Sequence, residues 1–165
     1  MLKKLFGFHQ QEARTIRLLA PLSGTIVPLA QVPDPVFAQK LAGDGIAIDP
    51  INSRLVAPVD AVVSRLFHTN HAIGLTAENG IEILMHIGIE SVKLKGKGFQ
   101  PFVVEGERVK AGDVLLAFEP ELLKGEIPSL ISPMLITNMD RVAAISPASG
   151  TVAAGQDPVL TVTLK

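Results

Sequence analysis

Residues 67–90 read FHTNHAIGLTAENGIEILMHIGIE. His68 and His71 stand at the head of one apolar run, His86 stands at the tail of the next, and Glu78-Asn79-Gly80 lies between them. Asn-Gly flanked by apolar runs predicts a β-hairpin. An antiparallel hairpin folds the head of its first strand onto the tail of its second, so His71 and His86 are expected as neighbours. Successive side chains of a strand point to opposite faces. Along the second strand this puts Ile81, Ile83, Met85, Ile87 and Ile89 on one side and Glu82, Leu84, His86, Gly88 and Glu90 on the other. The all-apolar side must be core, which leaves His86 facing outward or into a cleft. A lone histidine there would be unremarkable. Two that converge, with Thr69 beside one and Glu90 beside the other, make a candidate site.

The rest of the chain agrees with a fold built from strands. It has 165 residues, 47% hydrophobic and 19% charged, which suits one domain with a substantial core. Glycine and proline are frequent, at 14 and 12, and Val, Ile and Thr recur in short stretches. Three segments repeat one pattern of small residue, proline, turn, then β-branched strand: Ala20–Val27, Ala57–Val63 and Ser146–Val152. Similar turns at 105–109 and 111–114 lead into a strand over 115–118, and a last strand spans 159–164. Repeated turn-strand units without helical spacers predict an all-β fold, an antiparallel sandwich or barrel-like arrangement of duplicated units. Two short helical segments interrupt it. Asp34 can cap the first, with Pro35 at its first position, Phe37 and Leu41 on one face and Gly43 as the stop; the second runs from about Pro120 to Lys124 and ends at Gly125.

Composition also excludes. A formal net charge of -1 with no Trp or Tyr argues against nucleic-acid binding. The absence of cysteine removes disulfides, thiolate metal sites and cysteine nucleophiles, and suits a reducing, cytoplasmic location. No apolar run approaches the roughly 18 to 20 residues of a membrane span. The domain is expected over 15–165, preceded by a tail and linker over 1–14. Wound as a helix, residues 1–9 put Met1, Leu2, Leu5, Phe6 and Phe8 on one arc, which suits either a weak foot on an anionic membrane surface or a frayed terminus. Lys93, Lys95 and Lys97, with Gly96 and Gly98, form a basic loop after the hairpin, a solvated face that could also steer an anionic partner.

Imidazole is nucleophilic, titrates near neutral pH, and can carry a group on one nitrogen while a hydrogen bond holds the other. Those properties fit a phosphoryl carrier. His86 is then the nucleophile, with one ring nitrogen held by a nearby carbonyl such as that of Gly88, and His71 and Thr69 bond the phosphoryl oxygens. No cofactor is required. Two histidines fall short of a catalytic zinc site, so a zinc at His71 and His86 would need a partner to complete it.

The segments VAPVD (56–60), NHAIGL (70–75), MHIGIE (85–90), VKLKGKGF (92–99) and GERVKAGDVL (106–115) closely resemble the glucose-family enzyme IIA component of the bacterial sugar phosphotransferase system. The resemblance continues through VPDPVFAQKLAGDGIAI (32–48) and ITNMD (136–140), nearly the whole chain after the tail. It implies a compact antiparallel β-sandwich with the phosphoryl group on His86, His71 as the partner histidine and Thr69 in support. It implies the histidine phosphocarrier protein as donor, the IIB domain of a glucose-type sugar permease as acceptor, and regulatory binding of transporters or metabolic enzymes. The docking surface it implies is an apolar ring of Phe37, Leu41, Phe67, Leu84 and Val92 with the acids Asp34 and Glu90. Many relatives have phenylalanine and aspartate where this chain has Ile87 and Glu90, mild changes that bear on partner preference more than on chemistry.

Three other readings compete. A biotinyl or lipoyl carrier shares the turn pattern of 104–113 but needs a lysine at a tight hairpin tip, unlike the surroundings of Lys93, Lys95, Lys97 or Lys124. A zinc peptidase on a related sandwich needs a His-x-His element, and His68 and His71 are three apart. A regulatory binding protein on the same fold, without turnover, is the remaining alternative.

Overall fold

The computed structural model of the protein describes residues 14–165. The amphipathic segment 1–9 and all of the linker except Arg14 lie outside the described residues.

The predicted hairpin is β6 (Ala72–Ala77) and β7 (Glu82–His86). Their register pairs Ala72 with His86 and Thr76 with Glu82. Glu78, Asn79 and Gly80 form the turn between Ala77 and Ile81, whose N–H and carbonyl meet at 2.9 Å; Gly80 has φ 87 and its N–H is on the Ala77 carbonyl at 2.9 Å. This is the longer of the two common hairpin loops, a turn followed by a left-handed glycine. Ile81, Ile83, Met85, Ile87 and Ile89 are all at most 2% exposed, whereas Glu82 and Glu90 face solvent. The alternation read from sequence is the boundary of the principal core as far as Ile87; past the left-handed Gly88, at φ 70, it breaks, and Ile89 packs in a second cluster instead.

The hairpin lies inside an eight-stranded sheet. Its other strands are β2 (Gly24–Pro28), β3 (Asp44–Pro50), β5 (Ala61–Leu66), β9 (Arg108–Val109), β11 (Ser132–Ile136) and β13 (Thr151–Val152), in the order β13-β2-β3-β11-β7-β6-β5-β9. Two three-stranded sheets pack with it: β1 (Thr15–Leu19), β14 (Pro158–Leu164) and β12 (Val142–Pro147), and β4 (Arg54–Val56), β10 (Val114–Phe118) and β8 (Phe99–Pro101). Every pairing is antiparallel. The result is a β-sandwich without a closed barrel. Each of the three repeated turns feeds a strand of the large sheet, β2, β5 and β13, and two of these pair directly, Thr25 with Thr151.

One principal core joins residues of all three sheets, among them Leu18, Ile48, Leu55, Ile73, Ile83, Leu116 and Val162. A second, smaller cluster forms on the opposite face of β3 and β11: Leu29, Val32, Phe37, Ala47, Ile89 and Leu135. Because both of its faces are covered, β11 is buried at every residue and its sequence does not alternate.

The cover over the second cluster is a 3-10 turn (Leu29–Gln31) and the one-turn helix α1 (Pro35–Ala38). Asp34 caps α1 as expected, its carboxylate accepting the Val36 N–H at 2.9 Å. The helix stops earlier than the sequence suggested. Lys40 turns left-handed at φ 58, and the Leu41 and Lys40 N–H groups return to the carbonyls of Val36 and Phe37 at 3.0 Å each. That is a Schellman ending on a lysine. Leu41 thus lies beyond the helix and is 69% exposed while Phe37 is buried, so the two do not share a helix face. Gly43 has another role: a Cβ there would stand 2.2 Å from the Ile136 carbonyl oxygen, so glycine permits the approach of two strands. The second helix, α2 (Pro120–Glu126), runs through Gly125 and gives way to extended backbone at Ile127. No helix among the described residues is long and apolar enough to cross a membrane.

Candidate functional site

His86 ends β7 on the outer face, next to Leu84 and across from Ala72. His71 precedes β6, so strand alternation does not set its side. Asn70, left-handed at φ 57, and a bond from the Asn70 N–H to the Phe67 carbonyl at 2.7 Å turn the chain there. The His71 carbonyl takes the Ile87 N–H at 2.8 Å, which ties the two histidine segments together through the backbone. The rings meet edge to face with centroids 4.8 Å apart.

Each ring is held by its Nδ1. His86 Nδ1 lies 2.7 Å from the Gly88 carbonyl oxygen. A carbonyl only accepts, so the proton of the neutral ring is on Nδ1 and the lone pair is on Nε2. His71 Nδ1 is hydrogen-bonded to the Thr69 hydroxyl, and both residues are buried. Phe37 closes one side of His86, with ring centroids 5.4 Å apart at 59°. Phe67 closes one side of His71 at 5.6 Å and carries the Arg65 guanidinium on its face at 4.2 Å. The loop after the hairpin packs behind Thr69: a Cβ on Gly96 would be 3.6 Å from the Thr69 carbonyl oxygen.

Electrostatics keep both rings neutral near pH 7. Burial, then the neighbouring His86 and His68, push His71 from the ordinary 6.5 down to about 4. Burial also lowers His86, against an upward pull from the Gly88 carbonyl and the Asp34 carboxylate. The geometry therefore presents one neutral imidazole with a free Nε2, backed by a second imidazole and a hydroxyl. Such a pair can take up a phosphoryl group by nucleophilic attack and stabilise its oxygens.

Of the residues expected at a docking rim, Phe37, Phe67 and Leu84 are partly or wholly covered beside the histidines. Val92 (53% exposed) and Leu41 stand out, and so does Val36 (46% exposed), which the sequence reading did not include. Glu90 is exposed and left-handed at φ 60. Lys93, Lys95 and Lys97 are exposed on the loop that follows. Among the described residues no group of three or more His, Asp or Glu side chains is placed to hold a metal, so zinc at His71 and His86 finds no third ligand there.

The sequence reading also missed Ser91, Ser129 and Ser132. All three act on the turn after His86. Ser91 donates its hydroxyl to the Ile87 carbonyl, the Ser129 carbonyl takes the Ile89 N–H at 2.9 Å, and the Ser132 hydroxyl takes the Gly88 N–H at 3.0 Å. Ser91 lies in the same stretch as MHIGIE, but only the fold brings residues 129 and 132 there.

A family model described as phosphoenolpyruvate-dependent sugar phosphotransferase system, EIIA 1, matches residues 16–142. The chain is 46% identical over 166 residues, all of both chains, to the PTS system glucose-specific EIIA component of Bacillus cereus. It is 42% identical over 157 residues, 95% of each chain, to the protein of the same name from Haemophilus influenzae. Among solved structures it resembles glucose permease IIA from Mycoplasma capricolum, with a TM-score of 0.82 and 36% identity over 89% of this chain and 95% of that one.

Proposed function

Since the chain belongs to the EIIA 1 family of the phosphoenolpyruvate-dependent sugar phosphotransferase system, and is thereby a phosphoryl carrier in sugar phosphotransfer, we propose that His86 is the residue that carries the phosphoryl group. The observation that supports this assignment is the bond from His86 Nδ1 to the Gly88 carbonyl, which leaves Nε2 as the free nucleophile. The Nε2 lone pair attacks phosphorus of a phosphohistidine on the donor, the donor's P–N bond breaks, and its electron pair returns to the donor's imidazole. Passing the group on is the same exchange in reverse toward an acceptor nucleophile.

His71 and Thr69 act on the moving group. The shared bond between them fixes the His71 ring at the edge of His86, where its Nε2 side faces the phosphoryl oxygens. Such transfer depends on positioning and charge stabilisation more than on bond-making by the protein. The donor in this reading is the histidine phosphocarrier protein and the acceptor is the IIB domain of a glucose-type permease. The rim of Asp34, Phe37, Leu41, Phe67, Leu84, Glu90 and Val92 receives both.

Intact mass and phosphopeptide mapping at alkaline pH, after incubation with phosphoenolpyruvate, enzyme I and the histidine phosphocarrier protein, test the assignment. One acid-labile phosphoryl group on His86, absent from His86→Gln, is expected. Labelling that persists in His86→Gln would place the carrier residue elsewhere.

A further inference from the structure

The bond that defines His86 chemically is made to a backbone carbonyl, and a carbonyl is only as well placed as its peptide. Gly88 has φ 70, a left-handed conformation. Two groups from the neighbouring segment 129–132 fix the peptides on either side of it. The Gly88–Ile89 peptide, whose oxygen holds His86, donates its N–H to the Ser129 carbonyl at 2.9 Å. The Ile87–Gly88 peptide donates its N–H to Ser132 Oγ at 3.0 Å, and that hydroxyl donates to the Leu130 carbonyl at 2.8 Å.

Ser132 does what backbone pairing cannot do at this point. β11 pairs with β7 from Ile136–Ile83 to Met134–Met85, and the next residue of β11 is Pro133, which has no N–H. The ladder ends there, one residue short of His86. A hydroxyl at 132, 3% exposed, takes the first N–H left over on the other strand. Its own proton is used by Leu130, so the small network has every member partnered, and the Gly88–Ser132 bond within it is buried.

We infer that Ser132 is a positioning residue for His86: its hydroxyl fixes the Gly88 turn that keeps the His86 proton on Nδ1 and Nε2 free. The inference rests on the reading that His86 carries the phosphoryl group. In Ser132→Ala the Gly88 N–H is left buried without an acceptor and the Leu130 carbonyl loses its donor. The turn relaxes, the Gly88 carbonyl moves off the ring, and the Nε2–H tautomer, which has no lone pair on Nε2, becomes populated.

The test reads the His86 ring nitrogens by long-range proton–nitrogen NMR at neutral pH on unphosphorylated protein, with the rate of phosphoryl acceptance measured in parallel. The wild type and Ser132→Thr, which keeps the hydroxyl, are expected to show the Nδ1–H tautomer alone. Ser132→Ala is expected to show a mixture, with acceptance slowed roughly ten- to a hundredfold, the scale of a misplacement near 1 Å. A single Nδ1–H tautomer with wild-type rate in Ser132→Ala overturns the inference. Should that variant not fold, Ser132→Cys keeps the size with a weak acceptor, and a single Nδ1–H tautomer there overturns it equally. His86→Gln, assayed for labelling alone, judges the parent reading separately, because the tautomer measurement needs no phosphoryl transfer.

Discussion

Lowering the pH should destabilise this protein through His71 in particular. The ring is 5% exposed and faces the edge of His86 with centroids 4.8 Å apart, so a proton there meets neither water nor a counter-charge. It titrates at about 4 in the folded chain, against 6.5 when unfolded. Between those values the unfolded state binds a proton that the folded state refuses, so stability falls as pH falls through 6.5 and levels off below about 4. At about 1.4 kcal/mol per pH unit, the loss across that window is about 3 kcal/mol. His86, lowered for the same first reason, adds a loss of the same sign. The assay is urea unfolding of the wild type and His71→Gln, each near pH 7 and near pH 4 at fixed salt. Carboxylates common to both proteins cancel in the comparison. The wild type should lose about 3 kcal/mol more than the variant over that interval. Equal losses, or a His71 ring proton that titrates near 6.5 by NMR, would refute the reasoning.

His71→Ala should still accept a phosphoryl group on His86 but pass it on slowly, as rapid-quench transfer would show; if the variant cannot be labelled at all, the two histidine roles are reversed. Gly88→Ala should lower stability by about 1–3 kcal/mol, measured by thermal or urea unfolding, and should impair acceptance, because the position is left-handed and the new Cβ would lie 2.5 Å from Ile127 Cδ1. Asp34→Ala removes the cap of α1 and should cost about 1 kcal/mol. If Asp34 also meets a basic donor surface, acceptance by that variant should be slowest relative to wild type at low salt, with the gap closing as salt rises.

The hairpin was legible because its information is local. The Asn-Gly turn, the isoleucines spaced by two and the histidines at its open end lie within 24 residues, and the register of β6 on β7 follows from them. Capping by Asp34 was legible for the same reason. β11 was not: it is a continuous apolar run containing Pro133, and a proline in a central strand contradicts the usual pattern. Ser132 became visible only once β11 was placed beside β7. Gly43 looked like a helix stop, yet its reason lies across the sheet at Ile136, and the stop itself fell to Lys40, a residue without a left-handed preference. Of the candidate site, the two imidazoles, Thr69 and the Gly88 carbonyl against His86 could be named from the sequence, while the serines that hold the Gly88 turn from 129 and 132 come there only through strand pairing.

The placement of His86 also has a kinetic meaning. It stands on one face of a sheet whose other face is the principal core, with Phe37 and the His71 ring against it. If His86 carries the phosphoryl group as proposed, whatever loads it and whatever unloads it meet the same face of the sheet. On that reading turnover is expected to follow ping-pong kinetics, each partner inhibiting the other at high concentration. A partner that bound too tightly would throttle the flow, so departure matters as much as recognition. On that reading residence time at the exposed rim around Val36, Leu41 and Val92 is expected to weigh on flux as much as recognition does.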